Sequence, residues 1–262
     1  MDTAASPVVE VRDLALGYGD YVVMHDLNFS VNKGDIFIVM GVNGCGKSTL
    51  LKSLIGLRPP DKGKVLYYGK SFWDEDEAGQ QAVMRRFGVL YQSGALWSSL
   101  TVGENVALPL QLYKKLSSQE IKDVVAKKLA LVGLEGHEDS LPSQMSGGMC
   151  KRAALARAMA LDPDIIFFDE PSAGLDPINA RKLDDLILKL RNDLGTTLVV
   201  ITHELASIFA IGNNSVFIDV ESKTMIAGGD PKALLKDSKD PRVIQFLTRA
   251  PSASLPAGGQ GV

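Results

Sequence analysis

The 262 residues carry 45% hydrophobic and 23% charged side chains, an ordinary balance for a compact protein able to bury a sizeable core. A formal net charge of -3 supplies no overall attraction to nucleic acid or anionic lipid, so no nucleic-acid partner is expected. No run approaches the roughly 18 apolar residues of a membrane helix, and the opening MDTAASPVVEVRD lacks the basic-then-apolar order of an export signal. A chain that is neither secreted nor membrane-spanning is predicted.

Three apolar, β-branched runs at 8–16, 21–29 and 35–40, separated by the turn formers GYGD and NKGD, predict a β-rich opening. The third feeds into GVNGCGKST and then an apolar-periodic stretch, 50–57, stopped by Pro59 and Pro60, which reads as strand, loop and helix. VLYYGKSFW is hairpin-like, and the acidic run 74–77 after it reads as a solvated loop without function. From Thr101 to about Gly133 the period becomes helical, and Ser117 with Glu120 fits a capping box. Next come a helix over 148–161, the buried strand IIFFDE, a helix over 178–194 and the buried strand TLVVITHE, an alternation that implies a parallel sheet. Residues 251–262, PSASLPAGGQGV, hold too few bulky apolar groups to offset the entropy of ordering and are expected to be flexible. Cys45 and Cys150, the only cysteines, both lie in glycine-rich motifs. They read as small packing residues of a reducing compartment rather than as a disulfide or redox sensors.

Residues 41–48, GVNGCGKS, satisfy GxxxxGK[ST] between an apolar strand and a helix. Gly41, Asn43, Gly44, Cys45 and Gly46 can turn backbone N–H groups toward one anion, and the helix N-terminus adds partial positive charge. Lys47 brings a full charge to the β- and γ-phosphates of ATP, Ser48 can place its hydroxyl on Mg²⁺, and Thr49 can bond a phosphate oxygen. IIFFDE ends a buried strand with two acids, where open α/β sheets place their ligand crevice. Asp169 would orient Mg²⁺ and its waters, and Glu170 would act as general base on the water attacking the γ-phosphate. A strand-terminal Asp-Glu pair is a weak signal alone; with the phosphate loop upstream it specifies an NTPase.

Ser146, Gly147, Gly148 and Met149 precede a long helix, so hydroxyl, backbone N–H groups and helix dipole can converge on a second anion. This stretch, MSGGMCKR, resembles the LSGGQ signature of ABC ATPases, and the order of motifs matches that family along nearly the whole chain. The resemblance implies an adenine-stacking role for Tyr18, a Q-loop role near Mg²⁺ or water for Gln92, a D-loop at SAGLD ending in Asp176, and a switch role for His203. It also implies an α/β P-loop NTPase cassette with a mostly parallel core sheet, an antiparallel β subdomain and a helical insertion. The expected division is one domain over 1–249, with β-rich and RecA-like parts at about 1–95 and 155–249, a helical subdomain at about 96–154, and the tail 250–262. One phosphate cradle and one signature cradle per chain, held too far apart to share a nucleotide, imply two copies facing head to tail with ATP between Lys47 and the partner's Ser146.

Met145 and Met149 depart from the common leucine and glutamine of the signature. Met149 is similar to the LSGGM variant of Mla-type ATPases, and GVLYQSGALWSSLTVGENVALPL and DPRVIQFL resemble the matching regions of those proteins. The narrower resemblance implies an ATPase powering phospholipid transport between bacterial inner and outer membranes. It would act through a separate permease seated on the helical insertion and coupled through Gln92 and SGALW, with a mammalian-cell-entry (MCE) substrate-binding protein and a small accessory subunit. The chain would lie on the cytoplasmic face of the inner membrane. The alternatives are the ATPase of a small-molecule importer or lipoprotein-releasing transporter, and a soluble ATPase of ribosomes or DNA. Soluble members of the family carry two cassettes or a coiled-coil insertion, and this chain has neither. A nucleotide-gated scaffold would lack the base or the histidine, and Glu170 and His203 are both present.

Overall fold

The computed structural model describes residues 7–249; the tail expected over 250–262 falls outside the described residues. The chain opens with strands β1 (Pro7–Tyr18), β2 (Tyr21–Asn32) and β3 (Ile36–Met40), then helix α1 (Lys47–Leu54), strands β4 (Lys62–Tyr67) and β5 (Lys70–Ser71), helix α2 (Glu77–Met84) and strand β6 (Phe87–Leu90). Helices α3 (Val102–Tyr113), α4 (Ser118–Leu131) and α5 (Gly147–Ala158) follow without an intervening strand. The remainder alternates: β7 (Ile165–Asp169), α6 (Pro177–Leu194), β8 (Thr197–Ile201), α7 (Leu205–Ile211), β9 (Asn214–Ile218), β10 (Met225–Gly228), α8 (Pro231–Asp237) and α9 (Pro241–Thr248).

Two sheets result. β2, β1, β4 and β5 form an antiparallel sheet, and β10, β9, β3, β8, β7 and β6 form a second whose inner pairings are parallel. The central strand β3 is apolar along its whole length because both faces are covered. Side chains alternate across a strand, so Ile36, Ile38 and Met40 point into one core and Phe37 and Val39 into another. The first core lies against the helices α3 to α7 and α9, and the second against α1 and the antiparallel sheet. The parallel sheet is thus a partition between two apolar layers, and the carboxyl ends of β3 and β7 emerge together where the phosphate loop and IIFFDE stop.

Both helices of the 102–131 region start from full capping boxes, Thr101 with Glu104 and Ser117 with Glu120. The acidic run 74–77 is a correction. Asp74 ends a short 3₁₀ turn, and Asp76 caps α2 by accepting the Gly79 N–H at 2.8 Å, with Glu77 in the first turn. Carboxylates there complement the helix dipole rather than decorate a loop.

Candidate functional site

Beyond β3 the backbone wraps into the phosphate loop. Gly41 passes so close to β9 that a Cβ would meet the Ile218 carbonyl oxygen at 2.4 Å. Gly44 has φ 84°, a left-handed conformation that suits glycine and that lets consecutive N–H groups face one point. Gly46 precedes α1, whose first turn supplies Lys47, Ser48 and Thr49. Lys47 is only 7% exposed, and its Nζ donates to the carbonyls of Gly41 (2.8 Å) and Val42 (3.2 Å). The loop therefore folds around its own cation, holding a positive charge in a place an anion can reach.

Asn43, Gly44, Cys45, Gly46, Lys47, Ser48, Thr49, Tyr18, Gln92, Glu170 and His203 line one open cleft of about 570 Å³. These residues come from five separate stretches of chain, so the fold gathers what the sequence scatters. Tyr18, 48% exposed, also carries the Arg58 guanidinium 4.0 Å from its ring centroid, a cation–π contact. Cys45 is buried and Cys150 half-buried, and in both desolvation pushes the thiol pKa up, which opposes thiolate reactivity.

Glu170 follows β7 with φ 46°, a strained setting for a non-glycine residue, fixed by its N–H donating to the Ile201 carbonyl at 2.8 Å. His203 Nδ1 lies 2.8 Å from Glu170 Oε1. A carboxylate only accepts, so Nδ1 donates, and Nε2 lies 3.6 Å from Glu204 Oε1. Asp169 Oδ1 and Glu170 Oε2 are buried without a hydrogen-bond partner among the described residues. Burial, and next the Glu170 charge, raise the Asp169 pKa, while Lys47 and Lys52 oppose the rise. Ser48 and Gln92 line the cleft and Asp169 immediately precedes Glu170, so a hydroxyl, an amide oxygen and an orphaned carboxylate oxygen supply an all-oxygen donor set of the kind Mg²⁺ takes, with phosphates completing the shell.

The second cradle is built apart from this cleft. Ser146 caps α5 by accepting the Met149 N–H at 3.3 Å, which leaves its own hydroxyl hydrogen free to donate. Gly147 has open space where a side chain would stand, and Gly148 faces the side chain of Asn179. Asp176 caps α6, accepting from the Ile178 and Asn179 N–H groups at 3.0 Å, so 146–149 and Asp176 meet through Asn179. Neither Asp176 nor 146–149 lines the nucleotide cleft of its own chain.

The family model described as ABC transporter matches residues 24–173. The chain belongs to the ABC transporter family. The intermembrane phospholipid transport system ATP-binding protein MlaF of Haemophilus influenzae is 40% identical over 92% of this chain and 90% of its own length. The "Probable ribonucleotide transport ATP-binding protein mkl" of Mycobacterium tuberculosis is 37% identical over 91% of this chain and 66% of its own. Among solved structures, a dimeric post-hydrolysis state of the ATP-binding cassette MJ0796 bound to ADP and Pi superposes with a TM-score of 0.77 at 28% identity, covering 85% of this chain and 98% of that one. This chain is accordingly the ATP-binding, ATP-hydrolysing subunit of an ABC transporter, built on the P-loop cassette fold. No helix among the described residues is long and apolar enough to cross a membrane.

Two residues escaped the reading of the sequence. Arg157 donates to the carbonyls of Ala95 (2.7 Å) and Gly94 (2.9 Å), clamping the loop after Gln92 onto α5. Asn105 is fully buried, accepts the Trp97 N–H at 2.8 Å and donates to the carbonyls of Trp97, Leu100 and Thr101. An asparagine inside the apolar pattern of a helix was the one available signal, since a buried amide requires partners.

Proposed function

We propose that this subunit drives phospholipid transport between the two membranes of a bacterial envelope, working as a head-to-tail pair on the cytoplasmic face of the inner membrane. The observation that carries the cargo is the 40% identity to MlaF over nine-tenths of both chains. A separate permease would dock beside α2 and α3, where Met84, Leu112, Tyr113 and Trp97 are exposed next to the loop held by Arg157 and Asn105. An MCE-type protein and a small accessory subunit would complete the machine.

In this reading ATP lies in the cleft with its purine on Tyr18 and its phosphates on the loop from Gly41 to Thr49. Lys47 gives up its carbonyl partners for the β- and γ-phosphates, a charge-assisted exchange that strengthens both ends. Ser48, Gln92 and Asp169 would hold Mg²⁺, which when bound neutralises phosphate charge. Glu170 takes a proton from the attacking water through Oε2, the oxygen that lacks a partner, while His203 holds Oε1 and fixes the carboxylate. The partner's Ser146, Gly147, Gly148 and Met149 close over the γ-phosphate from the other side, aided by a helix N-terminus. Hydrolysis removes that bridge and lets the pair open.

The mkl relative supports a second reading, in which the cargo is a ribonucleotide. Purification of the tagged chain from its native membrane in mild detergent, with mass spectrometry of bound lipids and proteins and a vanadate-sensitive ATPase assay, separates the two. Recovery of a permease, an MCE protein and phospholipid supports the proposal. A permease that carries no lipid, and whose ATPase responds to ribonucleotides rather than phospholipid, would replace the cargo and retain the ATPase chemistry.

A further inference from the structure

Lys151 stands in the second turn of α5, five positions beyond Ser146. A lysine at such a place ordinarily extends into water, yet this one is 7% exposed. Its Nζ donates to the carbonyl oxygens of Pro171 at 2.6 Å and Ala173 at 2.5 Å. Burying an ammonium without partners is costly, so these bonds are required for it to remain charged. Desolvation lowers the Lys151 pKa, and the nearby Glu170 charge opposes that fall.

The two carbonyls bracket Ser172, which is 6% exposed with a hydroxyl oxygen that has no partner among the described residues. They belong to the segment that leaves Glu170 and reaches the Asp176 cap of α6. The same two elements touch again where Gly148 faces Asn179, whose amide donates to Asp176 Oδ2 at 2.5 Å. The second cradle and the hydrolytic carboxylate of one chain are thus fastened at two points, of which Lys151 is the charged and buried one.

We propose that Lys151 is a positioning residue that locks the signature turn of α5 to the loop carrying Glu170. Through it, a nucleotide seated on 146–149 sets the placement of the carboxylate that serves the other nucleotide of the pair. The inference rests on the head-to-tail reading above. Lys151 touches neither nucleotide, so its loss leaves ATP binding intact and uncouples the two sites.

The test uses the full-length chain with Lys151→Met, which retains the unbranched stem, and Lys151→Arg, which restores two donors, each alone and combined with Glu170→Gln. Fluorescent mant-ATP with Mg²⁺ reports binding, light scattering reports ATP-driven dimerisation, and steady-state hydrolysis reports kcat, KM and cooperativity. Lys151→Met should lower kcat roughly 10- to 100-fold, the scale of losing hydrogen bonds from a charged donor, with KM and mant-ATP affinity within about twofold of the parent. Its Hill coefficient should fall to about 1, and Lys151→Arg should recover most of both. Should Lys151→Met fail to fold, Lys151→Arg retaining cooperative turnover supports the proposal, and Lys151→Arg folded but uncoupled overturns it. Lys151→Met with unchanged kcat and cooperativity overturns it as well. If Glu170→Gln alone fails to dimerise on ATP, the head-to-tail reading falls and the coupling falls with it; dimerisation there with cooperativity intact in Lys151→Met sinks only the role of Lys151.

Discussion

In the proposed reaction Glu170 and His203 work together: the His203 Nδ1–H holds Glu170 Oε1, and Oε2 is left for the attacking water. Glu170→Gln should therefore retain ATP while lowering kcat roughly 100-fold or more, the scale of a general base; normal hydrolysis would remove Glu170 from that role. His203→Ala should lower kcat by a comparable factor without changing mant-ATP affinity, since it loosens the base rather than the phosphate cradle. Lys47→Ala acts on the other quantity, weakening ATP binding roughly 10- to 100-fold through loss of a charge-assisted bond. Tyr18→Ala should raise KM about tenfold by removing a base-stacking face, whereas Tyr18→Phe should not. A KM unaffected by Tyr18→Ala would place the purine elsewhere.

At the scale of elements, the helices α6 and α7 that follow β7 and β8 are joined by a buried polar contact. Ser207 Oγ in α7 donates to Asp184 Oδ2 in α6 at 3.1 Å, and Asp184 is 5% exposed. Burial pushes its pKa up to about 6, with the Ser207 bond and Arg181 pulling down and Asp185 pushing up. Between the ordinary aspartate value of about 3.9 and this raised value, the folded chain retains a proton that the unfolded chain has lost. The stabilising contribution is full below about pH 4 and is lost as the pH rises through about 6, by up to about 3 kcal/mol. Asp184→Asn, which can still accept from Ser207, should be more stable than the parent at about pH 8 and no more stable at about pH 4, read by urea unfolding. Equal gains at both pH values would contradict it. Asn105 binds elements differently: Asn105→Leu strands the Trp97 N–H and the Leu100 carbonyl, while the Trp97 and Thr101 carbonyls keep backbone donors, and should cost about 2 kcal/mol or more, with weaker permease coupling as its functional trace.

For the whole molecule, the decisive feature is that the cleft and the second cradle are separate within one chain. Ser146→Arg should spare ATP binding by the single chain and abolish cooperative turnover, measured by mant-ATP titration beside hydrolysis. Unchanged turnover would leave the second cradle without a role. The partitioned core makes this division rigid: the central strands alternate between two apolar layers, so the loops at their carboxyl ends are anchored from both sides.

The sequence by itself determined the local devices. GVNGCGKST sets a phosphate loop because the donors are consecutive backbone N–H groups, and IIFFDE sets an apolar strand ending in acids because burial and charge change within one residue. The Ser117–Glu120 cap was legible for the same reason: its partners lie three residues apart. The acidic run 74–77 misled because Asp76 is a cap whose helix, α2, has no buried residue to betray its period. Tertiary structure alone decided the long-range bonds. Arg157 meets Gly94 across 63 positions, Ser207 meets Asp184 across 23, and Lys151 meets Pro171 across 20. A charged side chain at helical spacing reads as solvated, and only the packing of distant elements removes the water and supplies the carbonyl that takes its place.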